Sequence, residues 1–341
     1  MAPDPMTTPW GEHFELSTHL IAVELIRRGA ELHWFRQAFF TATIGGRPLA
    51  VNQTRTNLNA ATACEISGRK DYTRRMLRRA GASVAAGGTC HSTDIETALR
   101  RARKIGWPVI VKPVGGAKGR GVLVVDDEDQ LATALRVSSG RVVVEARFVG
   151  DEARFLVVAG RTVAVSGRIP AHVIGDGRST VAELVAAKNT ARGQNPHLAG
   201  HLVPTGPNPD LVPTIGQRVV LDHRGGYSSG ADSVDLTDTV HPSYRQIAER
   251  AYAAIPHLGL AGIDIIATDW SQPAAPDNHI VVEVNSRPAI GAHHFPWEGK
   301  PRDVAAAIVD ACLGVEDDWD EGGTDGDDPD GWWQELEDHA R

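Results

Sequence analysis

Hydrophobic and polar positions follow two periods along this chain. Apolar residues spaced for one face of a helix run from Leu16 to Gly29, Ser67 to Gly81, Ser92 to Ile105, Asp127 to Val137, Thr180 to Asn189, His241 to Ile255 and Pro301 to Leu313. Gly29, Gly81 and Gly106 mark helix ends, and Ser67 and Ser179 stand where a side-chain oxygen would cap a first turn. Shorter apolar runs predict strands at Glu31 to Phe40, Leu49 to Asn52, Pro108 to Pro113, Gly121 to Val125, Arg141 to Glu145, Gly262 to Ile266 and Ile280 to Asn285. Arg154 to Val158 and Thr162 to Ser166 predict a hairpin across Ala159-Gly160-Arg161. Between Thr190 and Thr214, Pro, Gly and Asn replace any periodicity and predict a long irregular crossing, a kind of loop that is usually functional or mobile. This order of elements, with no internal repeat, predicts an α+β or α/β enzyme holding a nucleotide between two lobes.

Composition narrows the class. At 42% hydrophobic and 23% charged residues the chain has the make-up of a globular protein with a sizeable core. No apolar run approaches a membrane span, and Met1 to Trp10 lacks the basic start and apolar core of a signal peptide. Cys64, Cys90 and Cys312 are scattered, which points to a reducing cytoplasm rather than a disulfide framework or zinc cluster. The net charge of −8 is uneven: twelve acids and one arginine from Val315 to Arg341 give −11 there and leave +3 on the body. A mildly cationic body suits anionic small molecules, and no basic run interleaved with aromatics suggests a nucleic-acid surface. The 315–341 tail reads as solvated and mostly disordered, and Trp332, Trp333 and Leu336 within it offer material for a short docking helix.

The candidate chemistry lies in polar residues set inside apolar strands. Glu283 and Asn285 are two apart and so share a strand face, offering a carboxylate and a carbonyl side by side. Asp264 lies in the preceding apolar run; if the two runs pair, three oxygen donors converge as a hard-cation site. Upstream, Lys112 ends a strand and leads into Gly115-Gly116-Ala117-Lys118-Gly119-Arg120-Gly121. Four glycines there free backbone N–H groups to turn toward one anion. Neither a Walker A loop nor a Rossmann fingerprint fits, because Gly-Lys-Ser/Thr is absent and a strand, not a helix, follows. The strand Val142-Val143-Val144 runs into Glu145-Ala146-Arg147-Phe148, a linker able to meet an adenine edge, and Glu152 follows within reach of a ribose diol.

These segments resemble the ATP-grasp ligases, and among them the ATP-grasp part of cyanophycin synthetase and of the bifunctional glutathione synthetases. The resemblance spans roughly Leu16 to Leu313 and is strongest in Ile169-Pro170-Ala171-His172-Val173-Ile174-Gly175-Asp176-Gly177-Arg178-Ser179-Thr180, in Asp235 to Pro242 and in Glu283-Val284-Asn285. It implies an α+β ATP-grasp fold preceded by a small Rossmann-like α/β domain. Its units would be 1–66, a central lobe at 67–150, a C-terminal lobe at 151–314 and the tail at 315–341. It also implies ATP and Mg²⁺, with one or two ions and Mn²⁺ as a substitute. Lys70 and Lys112 match phosphate-binding lysines. Gly116, Lys118, Gly119 and Gly121 match the phosphate flap, Glu145 with Ala146 to Phe148 the adenine hinge, and Glu152 the ribose acid. Asp264, Glu283 and Asn285 match the magnesium ligands. Arg154, Arg168, Ser228, Ser229 and Gly230 match regions serving phosphate and substrate. The implied reaction is amide formation between small amino-acid or carboxylate substrates through an acyl phosphate. A cytoplasmic homodimer without nucleic-acid or membrane partners is the implied setting.

The substrate half departs from the family pattern. Gly226 stands where relatives commonly have Asn, the metal strand continues as Asn285-Ser286-Arg287-Pro288-Ala289, and an arginine common in the cyanophycin group falls on Gly291. Arg287, His293 and His294 are the expected lining of a specificity pocket. The given sequence includes neither the long leading domain nor the Mur-ligase-like half of cyanophycin synthetase, so a stand-alone ligase is expected rather than polymer elongation. Two other readings compete with the ligase: a small-molecule kinase using the same ATP site, and a non-catalytic ATP-binding module.

Overall fold

The computed structural model describes residues 15–115 and 121–315. The chain begins with α1, Leu16–Arg27, whose Leu20, Ile21 and Leu25 are buried. Glu15 caps it, accepting from Thr18 N and Thr18 Oγ1 at 2.8 and 2.7 Å. Three strands follow: β1 Glu31–Arg36, β2 Phe39–Ile44 and β3 Arg47–Asn52. The expected single strand Glu31 to Phe40 is thus split into a hairpin. The three form an antiparallel meander in the order β1-β2-β3, which corrects the Rossmann-like expectation. The physical reason is loop length. Parallel neighbours need a crossover of a dozen residues or more, whereas two residues join each pair here. Gly45 and Gly46, at φ 55° and 75°, supply the left-handed turn that suits a tight hairpin.

Two helices come next, α2 Ala61–Ser67 and α3 Lys70–Arg79. Ser67 was expected to cap one long helix; instead it ends α2, its hydroxyl donating to Cys64 O at 3.0 Å. Then follow β4 Gly87–His91, α4 Ile95–Ile105, β5 Val109–Pro113, β6 Leu123–Val125, α5 Glu128–Val137 and β7 Arg141–Ala146. Asp94 and Asp127 cap the two helices through Thr97 N and Gln130 N at 3.0 and 2.8 Å. The strands form an antiparallel sheet ordered β4-β7-β5-β6, with β4 at an edge. Ala98, Ala102, Leu131 and Leu135 of the helices close over Val109, Val111, Val142 and Val144 to make its core.

The last part contains β8 Asp151–Val158, β9 Arg161–Ile169, β10 His172–Ile174, α6 Val181–Arg192, β11 Arg218–Val220, β12 Asp232–Asp235, α7 Pro242–Ala253, β13 Leu260–Ala267, β14 His279–Asn285, the short α8 Gly291–His294 and α9 Val304–Leu313. The hairpin of β8 and β9 turns at Ala159 and Gly160 as the sequence predicts. Thr180, not Ser179, caps α6, in a reciprocal box with Glu183; Ser179 donates instead to Asp176. A five-stranded antiparallel sheet results, ordered β12-β9-β8-β13-β14. Its two faces bury different partners. Tyr244, Ile247, Ala248 and Ala251 of α7 cover one, together with Leu77 of α3. α1, the β1–β3 meander and α9 cover the other, where Leu20, Phe40, Val51 and Ile308 share a core with Leu156, Val158 and Leu260.

One side chain ties the leading segment to the late strands. Asn59 Oδ1 accepts from Gly259 N and Leu260 N at 2.7 and 2.8 Å, and its Nδ2 donates to Leu260 O and Ser286 O at 2.8 and 3.0 Å. Asn59 therefore holds the start of β13 and the end of β14 together. Among the described residues no helix is long and apolar enough to cross a membrane.

Candidate active site

The two sheets present their polar residues at neighbouring places. On the four-stranded sheet, Lys112 of β5 and Glu145 of β7 are both nearly buried, and Lys112 Nζ lies 2.5 Å from Glu145 Oε1. Arg74 of α3 takes the other oxygen of Glu145 and the carbonyl of Ala85. Lys70, one helical turn before Arg74, joins Lys112, Arg74 and Glu145 around a cleft with apolar walls from Leu77, Val84, Val143 and Val281. Apolar walls with lysines at the rim suit a planar base carrying an anionic tail. The hinge is less open than expected at one point, because Ala146 N donates to Ala86 O at 2.7 Å and has no hydrogen left for a ligand. Arg147 to Gly150, including the half-buried Phe148, follow as an irregular linker into β8. Gly121 has φ 73° and a Cβ there would stand 3.0 Å from Pro113 Cγ, so glycine closes this loop. The expected flap residues Gly116, Lys118 and Gly119 lie outside the described residues.

The second cluster sits on the five-stranded sheet. β13 and β14 are antiparallel neighbours with Asp264 opposite Glu283 and Gly262 opposite Asn285, so the three oxygen donors do converge. Arg154 lies opposite Asp264 on β8. Its Nε and Nη2 donate to the two carboxylate oxygens of Asp264, both at 2.7 Å, in a bidentate fork. Asn285 Nδ2 donates to Asp264 Oδ2 at 3.2 Å. Arg168 of β9 comes within 3.8 Å of Asp264 and donates to Glu152. Burial works to raise the Asp264 pKa, but Arg154 and Arg168 overcome it and hold the carboxyl below its usual range. Burial, and then the charge of Asp264, push Glu283 above its usual range.

The fit to a cation rests on those two carboxylates. Glu283 makes no hydrogen bond or ion pair among the described residues, is half-buried, and stands beside another acid. Such a group gains most from a divalent ion. Asn285 spends its amide N–H on Asp264, which leaves its carbonyl oxygen to coordinate. Asp264 would be shared between an ion and Arg154. No group of three or more His, Cys, Asp or Glu stands together as a metal cage among the described residues.

Other expected residues fall differently. Glu152, expected at a ribose, is paired with Arg168 and would have to exchange that partner for a diol. Ser228 is exposed, and Ser229 half-buried, in the 3₁₀ turn Tyr227–Ser229. Gly230 ends that turn at φ 86°, where a Cβ would stand 2.8 Å from Val203 Cα. Arg287 is exposed and does not enter the buried cluster. His294 points the other way: its Nε2 accepts from Ala305 N at 3.2 Å and tethers α8 to α9, so it does not line a pocket with Arg154. His293 is buried with an unpartnered Nε2. Burial first, then the charges of Arg154, His294 and Arg168, lower its pKa to about 3, so the ring is neutral.

Three more residues stand at the cluster: Arg74 and His197, which the sequence reading passed over, and Tyr227, which it had only within the loop 225–231. Arg74 could have been found from its position one turn after Lys70. Tyr227 lies under the Arg168 guanidinium, 5.4 Å from its ring centroid. His197, from the irregular crossing, packs edge-on to Tyr227 at 4.5 Å, and its Nε2 is buried without a partner. The crossing is pinned by Arg192, fully buried, which donates to Asp232 and to His201 O at 2.9 and 2.7 Å. Lys188 Nζ adds a 2.5 Å contact to the same Asp232.

The two lobes, the cleft between them and the paired strands β13 and β14 make this an ATP-grasp fold. Residues 69–190 match the family described as carbamoyl-phosphate synthase L chain, ATP binding domain. Over 322 residues the chain is 34% identical to cyanophycin synthetase of Nostoc sp., covering 86% of this chain and 34% of that protein. It is 28% identical over 321 residues to the glutathione biosynthesis bifunctional protein of Clostridium perfringens, covering 88% of this chain and 41% of the relative. Among solved structures, a bifunctional glutathione synthetase from Pasteurella multocida superposes with a TM-score of 0.69 at 28% identity, over 89% of this chain and 44% of that one. The chain thus spans between a third and a half of the length of these three proteins.

Proposed function

We propose that this protein is an ATP-dependent carboxylate–amine ligase, joining two amino acids or small amino-acid-like substrates with release of ADP and phosphate. The observation that carries the reading is the meeting of Asp264, Glu283 and Asn285 with Arg154 and Arg168, next to the cleft holding Lys70, Lys112 and Glu145. The names of the similar proteins support it. Lys70 and Lys112 bind the nucleotide phosphates, and the apolar cleft beside Glu145 takes the base. Mg²⁺, or Mn²⁺ with the same oxygen donors, would be held by Glu283, Asn285 and the shared Asp264 and would supply charge neutralisation to the phosphates.

The carboxylate of one substrate takes the γ-phosphoryl group as its bond to the β-phosphate oxygen breaks, and ADP leaves. The amine of the second substrate attacks the acyl carbon, the bond to phosphate breaks, and the nitrogen loses a proton. Arg154 and Arg168 donate to the oxygens on which negative charge gathers in both steps. The neutral His293 lies on the side of these arginines and takes part in lining the substrate pocket, with Arg287 at its exposed rim.

The test is phosphate release from Mg-ATP across a matrix of paired amino acids, with nucleotide and organic products resolved by mass. ADP and phosphate formed only with one pair, with a new mass equal to that pair minus water, is the expected result. A stable phosphorylated product without free phosphate would assign a kinase instead. AMP with pyrophosphate would remove the acyl phosphate from the reading.

A further inference from the structure

Outside the site, α3 turns a second face toward the edge strand β4. Between them lies a groove of about 330 Å³ lined by Asp71, Arg74, Arg75, Arg78, Arg79 and the β4 residues Gly88 and Thr89. Arg75 and Arg79 are exposed, and neither forms an ion pair among the described residues. Arg78 Nη2 donates to Gly87 O at 3.0 Å. The Arg101 guanidinium lies against Gly88, within 3.4 Å of where a Cβ would stand, and its Nη1 is buried without a hydrogen-bond partner. The groove's own acid, Asp71, is engaged by Arg69 at 3.3 Å. Burial, and then the charge of Arg74, lower the pKa of Arg78, which is what crowded cations do. Nothing in the ligase reading uses Arg75, Arg78, Arg79 or Arg101.

The same chain carries the complementary charge. Residues 316–341 contain twelve Asp or Glu against one Arg, while the remainder is cationic. Twenty-six residues can extend to roughly 86 Å, at about 3.3 Å each. A domain of this size is on the order of 50 Å across, so the groove is within reach from Val315. Being tethered, the acids meet the groove at an effective concentration in the mM range.

We propose that the acidic run 316–341 docks in the arginine groove between α3 and β4 of its own chain. Arginine forks pair carboxylates two hydrogen bonds at a time, and several spaced along one groove suit an extended acidic segment better than one small anion. Docking places carboxylates beside Arg74, whose guanidinium also holds Glu145 at the nucleotide cleft.

The experiment uses the full chain with Tyr72→p-benzoylphenylalanine, since Tyr72 is exposed on α3 one turn from Arg75. After irradiation, cross-linked peptides are identified by mass spectrometry. Docking gives intramolecular links from position 72 to 316–341 at low salt. They fall at least tenfold in 0.5 M NaCl and in the R75E/R79E background. The milder R75Q/R79Q pair, checked for unchanged ATP binding and Tm, separates lost docking from lost folding and gives a smaller drop. Links that are absent, that form only between molecules, or that persist undiminished in both double variants overturn the proposal.

Discussion

The two cation–carboxylate clusters use the same residue types and reach opposite balances. At the nucleotide cleft, Glu145 is shared by Lys112 and Arg74 and Lys70 stands beside them, so one negative charge faces three positive ones. On the five-stranded sheet, Arg154 and Arg168 face Asp264, Glu152 and Glu283, so two positive charges face three negative ones. The first arrangement is left with positive charge to offer an anion and the second with negative charge to offer a cation. In the ligase reading, phosphates answer the first and a divalent ion the second. Register sets the difference. Glu145 lies opposite Ile110, so no second acid is brought up to it, whereas pairing β13 with β14 places Glu283 directly opposite Asp264.

That contrast can be broken from either side. The largest effect is expected for Asp264→Asn, which removes the charge that Arg154 and Arg168 share. Turnover should drop by about 10³-fold or more, and stability by roughly 3 kcal/mol, because Arg154 is left buried with an amide in place of its carboxylate. Steady-state kinetics and chemical denaturation check both. Lys112→Met should weaken ATP binding by about 10- to 150-fold, the range for one charged hydrogen bond, with a smaller change in Tm since Arg74 still satisfies Glu145. Calorimetric titration with ATP measures it, and an unchanged affinity would take Lys112 out of the phosphate site. Arg154→Lys keeps the charge but loses the fork, and should lower kcat by roughly 10- to 100-fold while leaving ATP affinity near wild type.

The smallest effect has a sign that depends on pH. The folded chain holds the Glu283 proton more tightly than the unfolded chain does. Stability therefore falls as pH rises from the usual carboxylate value of 4.5 through the higher folded one, and the loss is complete when Glu283 is fully ionised. Glu283→Gln should raise Tm at pH 8 by about 1–3 °C in the absence of nucleotide and metal. The gain should vanish below pH 4.5, where both forms are neutral. A gain that persists at pH 4 would assign it to packing rather than charge.

Much of this was legible in the chain. The meeting of β13 and β14 could be read because Asp264, Glu283 and Asn285 interrupt runs that otherwise have every reason to be buried. The helices closing at Gly81 and Gly106 were legible because only glycine takes their positive φ easily. Less visible were contacts that depend on which elements become neighbours. Arg74 meets Glu145 across 71 residues, and His197 reaches Tyr227 only because Arg192 and Asp232 pin the crossing. Cap choice at Ser67 and Ser179 went wrong for a local reason: another residue nearby could also start the helix, and spacing alone does not choose between them. The leading unit was read as α/β because a helix precedes strands, yet its two-residue turns admit only antiparallel pairing.

Asn59 gives the molecule a form of remote leverage. One amide on the leading segment clasps the two strands that set the spacing of Asp264 and Glu283. The leading segment is thus part of the instrument that fixes how far apart those carboxylates stand.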